Sequence, residues 1–142
     1  RCSAEEPGGD EPVLQEKTAV LSLSDAANRT VFSTTQQVWK SNGITMTNNK
    51  GSSTSNVANY TPPRLYAKSE VIIKAPGKIS KIEFVCSGSS YATALKNSIT
   101  NGTVTVSGST VTVTYTEPVD EVKFTCSAQV RMGASITVTY LG

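Results

Sequence analysis

Two segments of this chain repeat the same alternation, and that repeat limits the fold more than any other feature. In Ile82-Glu83-Phe84-Val85-Cys86, the residues Ile82, Phe84 and Cys86 share one face of an extended strand. In Val122-Lys123-Phe124-Thr125-Cys126, Val122, Phe124 and Cys126 do the same, and charge or hydroxyl lies opposite. A period of two is the signature of a strand with one face in a core and one in water. Between these strands Val104 and Val106 mirror Val113 and Val111 about Gly108-Ser109, a two-residue hairpin loop of the glycine-first kind.

The same period runs through most of the chain. Val20 to Leu23, Val31 to Thr34 and Gln37 to Thr47 read as early strands, the last carrying Trp39. Residues 48–62 form a long polar loop. Arg64 to Tyr66 and Glu70 to Lys74 follow, and Ala75-Pro76-Gly77-Lys78 reads as a type II turn. Glu117, Asp120 and Glu121 surround Pro118 in what reads as another turn. Ile136 to Tyr140 is a final strand. One helix is expected over Ser90 to Asn97, with Tyr91, Ala94 and Leu95 at helical spacing behind a capping serine. About nine or ten short strands with frequent turn signals imply an all-β, antiparallel β-sandwich of jelly-roll or Greek-key topology. The polar composition agrees: apolar residues are 37% and much of the remainder is Ser, Thr, Asn and Gly, with β-branched Thr suited to a pleated, solvated face.

The 142 residues divide into two parts. Residues 1–16 hold Glu5, Glu6, Asp10, Glu11 and Glu16 against Arg1, with Pro and Gly and no periodicity, and read as an acidic flexible tether. Residues 17–142 are the sandwich domain and carry the remaining Lys and Arg. Its basic excess serves solubility or lines a groove for an acidic polymer. A net charge of +2 argues against nucleic acid as a partner. No stretch approaches the ~20 apolar residues of a membrane span, and no signal peptide is read, as in a mature or trimmed chain.

Catalysis has little to work with. Histidine is absent, which removes the usual general base, the nucleophilic triads and the commonest transition-metal ligand. Three scattered cysteines do not make a zinc site. Glu117, Asp120 and Glu121 read as solvated acids, and Glu70 and Glu83 sit on strand faces that meet water. A calcium site could draw on Asp25, Asp120 or Glu121, but no Asp-x-Asp spacing supports one. No enzyme activity, metal or cofactor is expected. Aromatics are the remaining lead. Sugars stack on open aromatic faces, and their hydroxyls need planar polar partners. Tyr60, Arg64, Tyr66, Trp39 and Arg131 are the candidate ligand-binding residues, with Tyr91 beside them. For Trp39 the competing reading is core, since it lies in an alternating strand. Cys86 and Cys126 should both be buried, either bridged as a disulfide or as two separate thiols.

The segments Val38-Trp39-Lys40-Ser41-Asn42-Gly43-Ile44-Thr45, Pro63-Arg64-Leu65-Tyr66, Ile79-Ser80-Lys81-Ile82-Glu83-Phe84 and Gln129-Val130-Arg131, with the terminal Ile136-Thr137-Val138-Thr139-Tyr140, resemble a domain of secreted and surface proteins of Bacteroidetes and related anaerobes. It is similar to carbohydrate-binding β-sandwich modules, over roughly Lys17 to Tyr140. Cys2-Ser3-Ala4-Glu5-Glu6 looks like the start of a mature bacterial lipoprotein, with Cys2 the lipidated residue, although Arg1 stands where a lipoprotein signal places a small residue. The resemblance implies a non-catalytic extracellular module that binds a polysaccharide or surface glycan. It would be displayed at the cell surface or in the periplasm and would touch membrane only through a lipid anchor. The alternative is a structural, adhesin-like spacer or protein-interaction domain.

Overall fold

A computed structural model describes residues 14–142. Most of the acidic tether, with Cys2, lies outside the described residues. The strands are β1 (Glu16–Ser22), β2 (Arg29–Phe32), β3 (Gln36–Ser41), β4 (Ile44–Asn49), β5 (Arg64–Leu65), β6 (Glu70–Cys86), β7 (Thr103–Ser107), β8 (Thr110–Thr125) and β9 (Val130–Leu141), and the helix is α1 (Ser89–Ser98). β1 thus starts at Glu16, one residue inside the segment read as tether. Every strand pairing is antiparallel.

Two long strands build the sandwich. The first half of β6 pairs with β4 and with the second half of β8; its second half pairs with β9 and with the first half of β8. One layer is therefore β2-β3-β4-β6-β8 and the other β1-β9-β6-β8-β7, with β6 and β8 bending from one into the other. The inward stripe of β6 runs Val71, Ile73 and Ile79 as far as Ser80 and Ile82, Phe84 and Cys86 beyond it; in β8 it runs Val111 and Val113, then Val122 and Phe124. The parity changes because the bends are bulged. Tyr115, Thr116, Glu117 and Pro118 lie opposite the single residue Ser80. A strand that turns a corner needs such extra residues to keep its apolar face inside. Phe84 and Phe124 meet across the layers with centroids 6.0 Å apart and planes at 88°, an edge-to-face contact that suits the ring quadrupoles.

Four expectations are corrected. Ala75-Pro76-Gly77-Lys78 and the Pro118 segment are not turns but the bends of continuous strands. Pro76, which has no N–H to donate, sits where the β6–β8 register is interrupted. Gly77 allows the bend, because a Cβ there would lie 1.7 Å from the Leu141 carbonyl oxygen. The run Gln37 to Thr47 is two strands closed by Asn42-Gly43, both at positive φ (53° and 82°), the pattern of a type I′ turn. Finally, α1 begins after Gly88, with no side-chain cap in place of the expected serine. The hairpin about Gly108-Ser109 forms in the register read from the sequence. Cys86 and Cys126 are both buried, and both are free thiols.

Candidate functional site

The long loop after β4 is held to the sandwich by Lys50 N–H to Thr35 O (2.8 Å) and Val57 N–H to Thr34 O (2.8 Å), with Val57 buried. It leads through Tyr60 and a cis Thr61-Pro62 bond into β5. β5 pairs with the first residues of β9, Arg64 opposite Arg131 and Leu65 opposite Val130. Met132 N–H donates to Pro63 O at 3.0 Å, and Ser87 N–H, just after β6, donates to Arg131 O at 3.0 Å. Loop, β5, the end of β6 and the start of β9 therefore meet at one place.

They enclose an open groove of about 260 Å³ lined by Tyr60, Thr61, Pro62, Arg64, Ser87, Arg131 and Met132. Leu65 and Val130 point into the core, so alternation turns Arg64 and Arg131 outward on the same side. The Arg64 guanidinium lies 3.7 Å from the centroid of the Tyr60 ring, and that of Arg131 lies 5.6 Å from Tyr91. Such stacking fixes a guanidinium plane while leaving its edge free to donate. Tyr60 remains 43% exposed. Arg131 Nε is buried and has no hydrogen-bond partner among the described residues. Among the described residues, no carboxylate stands within ion-pair distance of either arginine.

Of the five candidate residues, Tyr60, Arg64 and Arg131 converge here. Two do not. Trp39 is fully buried, and its indole Nε1 donates to Gln37 Oε1 at 3.0 Å inside the core; it is a packing residue. Tyr66 is half-buried beyond β5, where its carbonyl accepts from Ser69 N–H (3.1 Å) and Ser69 Oγ (2.7 Å), and it does not line the groove. Tyr91 stands behind Arg131 as its stacking partner. Thr61, Pro62, Ser87 and Met132 escaped the sequence reading, because only the β5–β9 pairing and the Ser87–Arg131 bond bring them in.

The acids lie elsewhere. Glu117 and Asp120 are exposed on the β8 bend, and Glu121 pairs with Lys74 at 3.7 Å. Asp25 turns onto its own backbone, accepting from Ala27 N–H at 2.9 Å. Among the described residues no group of three His, Cys, Asp or Glu is placed to hold a metal ion. Burial pushes the Cys86 thiol up to about 11. It does the same to Cys126, where a Ser69 hydrogen bond opposes it. Both sulfurs are inert neutral thiols at ordinary pH. No protein-family model, curated protein or solved structure matches the chain.

Proposed function

We propose that the chain is a non-catalytic glycan-binding module whose site is the Tyr60–Arg64–Arg131 groove. The observation that carries this reading is the convergence of a half-open aromatic ring, two stacked guanidiniums and the Thr61 and Ser87 side chains on one concavity. Aromatic faces take the C–H face of a pyranose, while fixed planar donors read its oxygens. A groove of about 260 Å³ lies just below the ~300–1,000 Å³ of drug-sized pockets and suits a single sugar unit. Glycosidase chemistry needs two carboxyl groups flanking the bond to be cut, and among the described residues no carboxylate lines the groove. The setting we propose is the cell surface or periplasm, with Cys2 as the lipid anchor.

A second reading has its own support. β2 ends its layer, and Val31 and Phe32 stand 44% and 42% exposed on it. An open strand edge with apolar side chains suits docking of a protein by strand addition. A glycan array probed with the full chain and with Tyr60→Ala separates the two. The glycan reading expects a defined set of bound sugars and a signal reduced at least tenfold, roughly 1.4 kcal/mol, by the substitution. An array with no bound sugar overturns it in favour of the protein-interaction reading.

A further inference from the structure

Arg64 and Arg131 are direct partners across an antiparallel pair. Cβ atoms in such pairs stand about 4.5–5.5 Å apart, and like charges there repel. Proteins relieve such pairs with an intervening acid, and among the described residues none lies within reach. Each cation instead leans on a tyrosine ring, which orients it without neutralising it. The next segment deepens the positive field. Ser87 lines the groove two residues before α1, a ten-residue helix with no acidic residue in its first turn and no side-chain cap on its free N–H groups. One bound anion would answer all of these features.

We infer that the groove takes a carboxylate-bearing sugar, a uronic or sialic acid, with the carboxylate held between Arg64 and Arg131 and the ring against Tyr60. The inference rests on the glycan reading and names the ligand class within it. A guanidinium fork matches a planar carboxylate through two parallel N–H bonds. A ring beside Tyr60 then places its hydroxyls near Thr61 and Ser87. A neutral sugar would leave the two cations facing each other.

The test is calorimetric titration of the full chain with five probes: trigalacturonate, its methyl ester, sialyllactose, lactose and citrate. The methyl ester removes only the charge, and lactose removes the sialic acid. At least one acidic probe is expected to bind roughly tenfold or more tighter than its neutral counterpart, as the loss of a charged hydrogen bond implies. That binding should weaken in about 0.5 M NaCl, because partly exposed charges are screened. Arg64→Gln and Arg131→Gln should each weaken it at least tenfold, with near-UV circular dichroism reporting that both variants are folded. Arg64→Lys, which keeps the charge and loses the fork, should recover only part of the affinity. If acidic and neutral forms bind equally and Tyr60→Ala abolishes both, the carboxylate assignment is overturned and the glycan reading stands. If no sugar of either kind binds, both fall. If citrate binds with the same arginine dependence while the sugars do not, the sugar assignment fails.

Discussion

Gly77→Ala tests the bend on which the two-layer architecture depends. The added Cβ would lie 1.7 Å from the Leu141 carbonyl oxygen and 2.8 Å from its carbon, and both obstacles are backbone. Non-bonded atoms settle at about 3.5 Å, so β6 and the end of β9 must part by roughly 2 Å. That exceeds the tolerance of a hydrogen bond. The Lys78↔Leu141 rung breaks and its neighbour Ile79↔Tyr140 is strained. Two bonds at about 1 kcal/mol each, with about 1 kcal/mol for apolar surface opened to water around Leu141 and Tyr140, give a destabilisation of about 2–3 kcal/mol. For a chain of this size that lowers Tm by roughly 6–12 °C, read from the decay of the far-ultraviolet β signal on heating. Deleting Leu141 and Gly142 removes the obstacle, so Gly77→Ala should cost under about 1 kcal/mol in that shortened background. Equal destabilisation in the two backgrounds, or none in the full chain, would refute the close-approach argument.

Three further outcomes are expected. Because burial raises the Cys86 and Cys126 thiols from 9.0 to about 11, the folded state favours their neutral forms; stability should hold below pH 9 and fall from pH 9 toward 11, and Cys86→Ala/Cys126→Ala should remove most of that slope in melts taken across pH, leaving the part due to Tyr115, also raised by burial. Among the described residues Trp39 supplies the one hydrogen bond of the Gln37 side chain, whose Nε2 has no partner there, so Trp39→Phe should cost about 1–3 kcal/mol in denaturant titration, with sugar binding unchanged. A chain starting at Lys17 forfeits the Glu16↔Leu141 rung and the bond from Gly142 N–H to Gln15 O, both at water-exposed chain ends and so at the low end, about 0.5 kcal/mol each, and should melt within about two or three degrees of the parent; a larger drop would mean that the residues before Lys17 contribute more than these end bonds.

What can be read in advance is local. The stripes Ile82-Phe84-Cys86 and Val122-Phe124-Cys126 are visible because alternation is a property of neighbours, and both strands lie where that reading puts them. The Gly108 hairpin is equally local. Pro76-Gly77 and Pro118 read as turns because composition alone cannot separate a turn from a bend. The Leu141 carbonyl beside Gly77 decides the first case, and it arrives from the far end of the chain. Asn42-Gly43 is a legible turn signal hidden inside an otherwise strand-like run. In the groove, residue type nominates Tyr60, Arg64 and Arg131, but their meeting depends on β5 pairing with β9. Trp39 reads as a candidate by residue type and as core by alternation, and only the packing decides, placing it fully buried with its indole on Gln37.

Amide chemical-shift mapping with trigalacturonate and sialyllactose tests the central claim most directly, because it reports where a ligand sits as well as whether one binds. The account predicts saturable shifts confined to Tyr60, Thr61, Arg64, Leu65, Ser87, Gly88, Arg131 and Met132, with saturation moved to at least tenfold higher sugar concentration in Arg131→Gln. Shifts that instead follow β2 around Val31 and Phe32, or no shifts with either sugar at millimolar concentration, would contradict it.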